Sequence, residues 1–123
     1  MRKLIFIVMI IAGAAATPLF AQDVVDVTGE TGVKEITVTN ERLVFFPSEI
    51  RVNLGDTVRL TYENGGGRHD WVLDEFDAAT DVIRSGESQT IEFVASEAGE
   101  FEFYCSVPGH RQAGMFGSFI VVE

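Results

Sequence analysis

The chain has 123 residues, enough for one domain with a core and too few for two. Apolar residues make up 46% of it, with 10 Phe, which fits a folded globular body and not a disordered tail. Lys and Arg total 9 against 19 Asp and Glu, so a phosphate backbone would be repelled and nucleic acid is excluded as a partner.

The first 21 residues read as a secretory signal peptide. Arg2 and Lys3 precede an apolar run from Leu4 to Ala16, and Ala21 offers a small residue at a cleavage site. The run falls short of the roughly 20 apolar residues that a spanning helix needs. Leu19, a large residue close to the cut, leaves an uncleaved anchor as the lesser alternative, and only then is membrane attachment expected. Without this segment the formal charge moves from −10 to −12, which predicts a soluble, self-repelling monomer in the periplasm or another exported location.

Residues 22–34 are polar and acidic and predict a loose arm, with one early strand at Val24–Val27. The domain proper, 35–123, is a series of short alternating runs. Glu35–Thr39, Leu43–Phe46, Ile50–Val52 and Thr57–Tyr62 each read as a strand, separated by Asn40–Glu41, Pro47–Ser48 and Asn53–Asp56. The glycines at 65–67 interrupt the pattern and His69–Leu73 resumes it. Residues 74–88 are irregular and suit a short helix or a packed loop. Gln89–Val94, Phe101–Tyr104 and Gly117–Val122 complete the set. Seven or eight short strands at spacings of about ten residues predict an all-β Greek-key sandwich.

Cys105 is the one cysteine. In an oxidising compartment a thiol without a partner is buried and inert, joined to another chain, or held by a metal. Taken alone, a Cys at the end of an apolar strand is a small buried hydrophobe. Its neighbours change that reading. The segment Tyr104–Phe116 links two predicted strands and carries a thiol, an imidazole and a thioether at Cys105, His110 and Met115. Pro108, Gly109 and Gly114 let so short a loop turn tightly and aim all three donors inward. Soft and intermediate donors without a carboxylate suit a metal that alternates between monovalent and divalent states, which is copper. A second imidazole has a single source, His69, because the chain contains 2 His. Two His and one Cys in a plane with a weak axial Met form the ligand set of a blue-copper electron-transfer site.

Cys105-Ser-Val-Pro-Gly-His110-Arg-Gln-Ala-Gly-Met115 resembles the copper loop of the cupredoxins, the plastocyanin and azurin superfamily. Its gap from Cys to His is similar to azurin, its gap from His to Met to plastocyanin, and both together to auracyanin and rusticyanin. His69-Asp-Trp-Val-Leu73 and Phe46–Val58 resemble further cupredoxin segments, so the likeness covers about residues 35–123. Asp70 stands where the family usually has Asn after the first His ligand. Arg68 stands where azurin has Gly, which implies four ligands with Met115 axial and no azurin-like fifth. Asp70, and less so Asn64, are candidates for hydrogen bonds to the loop carrying Cys105.

The function expected from these residues is one-electron transfer outside the cytoplasm by a protein that is not an enzyme. The expected partners are redox proteins, basic ones by the charge argument, such as a c-type cytochrome or another copper protein. Val107, Pro108, Ala113 and Phe116 around His110 suggest an apolar docking patch. Copper delivery or storage is the alternative, weakened by the absence of any Met but Met115 after residue 21. A structural zinc site is a third reading.

Overall fold

Alternation of apolar and polar residues determines which face each strand buries. A computed structural model describes residues 23–123, so the predicted signal peptide lies outside the described residues. The strands are β1 (Val24–Asp26), β2 (Lys34–Glu41), β3 (Val44–Phe46), β4 (Glu49–Asn53), β5 (Thr57–Glu63), β6 (Val72–Leu73), β7 (Ala78–Ala79), β8 (Ser88–Val94), β9 (Gly99–Tyr104) and β10 (Phe116–Val122). β2 buries Lys34, Ile36, Val38 and Asn40, and β5 buries Val58, Leu60 and Tyr62, every second residue in each case.

Two sheets result. One runs β1-β4-β10-β9-β6-β7 and the other β3-β2-β5-β8. Sequence neighbours repeatedly change sheet, as a Greek-key sandwich requires, so β4 lies beside β10 and β2 beside β5 in parallel register. β1 adds a parallel edge to β4 and places Val27 in the core. Between the sheets Phe45 of β3 meets Phe103 of β9 edge-on at 5.6 Å, and Phe93 of β8 meets Phe119 of β10 at the same centroid distance, 5.6 Å. Trp71, fully buried, lies 5.1 Å from Phe103.

The strands appear where the alternation predicts them, with one difference that bears on the site. The run His69–Leu73 is a strand only at Val72–Leu73, and His69 makes a lone bridge to Ile83. The irregular stretch holds a 3-10 turn at Asp74–Phe76 and the two-residue β7. Pairings this short carry no periodicity, so β7 has no counterpart among the predicted runs.

Candidate metal centre

The inward phase of β9 continues past its last residue. Phe103 and Cys105 both have no exposed surface, so the thiol enters the sandwich end on the same face as the core aromatics. The loop that follows folds over it through its own backbone bonds. The His110 N–H donates to the Val107 carbonyl at 3.0 Å, the Met115 N–H to the His110 carbonyl at 3.0 Å, and the Cys105 N–H to the Met115 carbonyl at 3.1 Å. Gly114, at φ 113, makes the turn that brings Met115 back beside Cys105.

His69 lies in the segment between β5, of the four-stranded sheet, and β6, of the same sheet as β9. β5 ends at Glu63, and the buried Asn64 then ties the glycine loop down: its side-chain amide donates to the carbonyls of Gly67 at 2.9 Å and Ile83 at 2.8 Å. A Cβ at Gly67, where φ is +81, would stand 2.8 Å from His69 Nε2, so the ring packs directly on that glycine.

The three donors meet at the sandwich end. Cys105 Sγ lies 3.8 Å from His69 Nδ1 and 3.5 Å from His110 Nδ1, and the two Nδ1 atoms are 3.1 Å apart. A point equidistant from all three lies about 2.0 Å from each, within the ~2.0–2.3 Å of metal bonds to imidazole nitrogen and thiolate sulfur. The residues therefore fit a metal ion. Electrostatics favour one as well: burial pushes the Cys105 thiol up, while the backbone amides of Asp70 and Val107 act in the opposite sense on the sulfur. Burial lowers the His69 pKa, and the neighbouring His110 lowers it further. A cation among these groups would supply the charge that lets the sulfur ionise.

Met115 is fully buried in the same core cluster as Cys105, and His110 is the half-exposed member of the group. Asp70, itself buried, binds the Cys105 loop twice. The Ser106 N–H donates to Oδ1 at 2.7 Å and the Ser106 hydroxyl to Oδ2 at 2.5 Å. It thus makes the link between ligand loops that an Asn would make, with both carboxylate oxygens as acceptors. Asn64 serves the His69 loop instead.

Sequence reasoning missed Asn40. Its position in phase with Ile36 and Val38 is the signal: a polar side chain on a buried face must have partners. Asn40 Oδ1 accepts from the Tyr62 hydroxyl at 2.7 Å and the Gly65 N–H at 2.9 Å. Its Nδ2 donates to the Arg42 carbonyl at 3.0 Å and the Gly66 carbonyl at 3.3 Å. The β2–β3 hairpin is thereby fastened to the loop that carries His69. Between them lies an open groove of about 1080 Å³ that reaches His69 and His110.

A two-sheet Greek-key sandwich with a thiol and two imidazoles converging at one end defines a cupredoxin, a class of copper protein. The chain belongs to the plastocyanin/azurin family of copper-binding proteins, whose family model matches residues 32–122. It is 34% identical over 104 residues to the copper-resistant cuproprotein CopI of Rubrivivax gelatinosus, covering 68% of this chain and 63% of that protein. It is 33% identical over 103 residues to halocyanin of Natronomonas pharaonis, covering 78% of this chain and 61% of that one. The chain therefore spans less than two thirds of either relative. Among solved structures it is similar to dithionite-reduced auracyanin from Roseiflexus castenholzii, with TM-score 0.67 and 26% identity over 75% of this chain and all of that one.

Proposed function

We propose that His69, Cys105, His110 and Met115 hold one copper ion and that the chain is a one-electron carrier working outside the cytoplasm. The observation that carries this reading is the convergence of His69 Nδ1, Cys105 Sγ and His110 Nδ1, all within 4.8 Å of one another. Copper so held supplies a Cu(II)/Cu(I) couple. The protein's part is to keep the donors still. Three of the four residues are fully or nearly fully buried, and Asp70 and Asn64 fix the loops that bear them. Little then has to reorganise when the charge at the site changes, which favours fast exchange.

His110 is the route outward. It is half-exposed, and around it Pro108, Ala113 and Phe116 are exposed, Phe116 by 47%. An apolar patch around a redox-linked imidazole suits brief contact with a partner. Replacing Val107 with Glu is expected to slow exchange with a partner while the copper spectrum stays as it was. Four donors fill the ligand set and leave no place for a substrate on the metal, so catalysis is not part of this reading.

A second reading, copper resistance, is favoured by the similarity to CopI. The two separate in one experiment. The copper(II)-loaded protein is mixed with a reductant and then an oxidant and, separately, with a strong copper chelator. A carrier cycles reversibly and releases copper slowly; a protein that hands copper on releases it readily, and that outcome would overturn the carrier reading.

A further inference from the structure

The groove beside the site carries the opposite charge from the rest of the molecule. Of the cations among the described residues, Lys34, Arg51, Arg59 and Arg111 each pair with a carboxylate. Arg42, Arg68 and Arg84 have no such partner among the described residues. Two of these three, Arg42 and Arg68, line the groove, against one carboxylate, Glu41. In a chain with 19 acidic residues, two arginines beside the copper ligands with no carboxylate in ion-pair reach are free to take an anion.

The placement is built in. Arg42 occupies the first position of a two-residue hairpin turn with φ 53, where Gly is the favoured residue. An L side chain there strains the backbone, so its presence calls for a compensating use. Asn40 binds the Arg42 carbonyl and the Gly66 carbonyl with one amide, which holds the hairpin and the Arg68 loop in fixed relation. Leu43, Phe46 and Val107 supply an apolar wall between them.

We infer that this groove docks an acidic protein surface: a redox partner seats Asp or Glu side chains on Arg42 and Arg68 and thereby lies against His110. A planar guanidinium takes a carboxylate bidentately, and Arg is enriched where interfaces are strongest. The groove is open and carries apolar side chains between the two arginines, which favours a protein surface over a small anion. Net charge alone selects basic partners; the local field at the exchange face selects acidic ones. The role assigned to the contact rests on the carrier reading, but the contact itself does not.

The test is binding of a short poly-glutamate peptide to the copper(I)-loaded, isotope-labelled protein, followed by NMR. The expected result is peptide-dependent shifts at the amides of Arg42 and Gly65–Arg68. Affinity should fall about tenfold or more in R42Q/R68Q and less than about twofold in R59Q, which removes the same charge outside the groove. Arg42→Gly relieves the turn, so it should hold or raise Tm while still weakening the peptide; a merely structural role for Arg42 would not separate the two. Shifts absent from these amides, or an equal loss in R59Q, would overturn the inference. So would binding of hexacyanochromate(III) alone, which marks a small-anion site. No electron transfer is read, so failure of the carrier reading leaves these outcomes unchanged.

Discussion

His69 is held by a contact that a single substitution removes. Gly67 packs against His69 Nε2, so Gly67→Ala adds a methyl where there is no room and forces a non-Gly residue to φ +81. The backbone term alone costs about 1–2 kcal/mol. The expected outcome is a lower Tm and weaker copper binding, both visible in thermal melts with and without the metal. Met115→Leu keeps the buried volume and removes the sulfur. Binding should survive within about tenfold, and the potential should rise, because losing a donor disfavours the divalent state. Voltammetry checks the direction.

Protonation at the same residues makes the metal-free protein sensitive to pH at both ends. Burial lowers the His69 pKa, so the unfolded chain takes up a proton first as pH falls. Stability of the metal-free protein should therefore drop as pH goes below about 6.5 and continue to drop until the folded ring also titrates. The buried Cys105 thiol is shifted up. Here the unfolded chain loses its proton first as pH rises, so stability should also fall above the ordinary thiol range. Denaturant titrations across pH test both limbs, and His69→Asn should flatten the acidic one.

At the scale of elements, the Asp70–Ser106 link joins the segment before β6 to the loop after β9. Asp70→Ala leaves the Ser106 N–H and hydroxyl without their acceptor, at a cost of about 1–3 kcal/mol. Asp70→Asn keeps one acceptor oxygen, so it should retain most of the stability while raising the potential, because an anion beside the site favours the higher copper charge. Melting curves and voltammetry on the pair separate the two effects. The Cys105–Met115 loop was legible in the sequence because its donors are close in the chain and lie between two strong alternations. His69 was legible by elimination, but not its setting. The bridge to Ile83, the two-residue β6 and β7, and the Asn40 hub all depend on partners far along the chain, and local pattern does not encode them. Asn40 alone left a trace, as a polar residue in an apolar phase.

Over the described residues the chain is a sandwich whose core runs up to the copper site. Phe103 contacts both Phe45 and Trp71 and is in phase with Cys105. Phe103→Ala should thus cost about 3–5 kcal/mol and loosen the site with the core. The all-β sandwich followed from strand alternation; the six-and-four division and the parallel pairs of β2 with β5 and β4 with β10 did not, since side-chain period says nothing about strand direction. Net charge is a total, and a total hides the two arginines beside the ligands that pair with no carboxylate among the described residues.

The claim on which the rest depends is that Cys105 and its three companions bind copper as a reversible couple. Adding Cu(II) to the protein spanning residues 22–123 and recording the visible spectrum and a voltammogram tests it directly. Intense thiolate-to-copper absorption, lost in Cys105→Ser, together with reversible one-electron cycling is the predicted result. A colourless complex, or one that cannot be cycled, would contradict it.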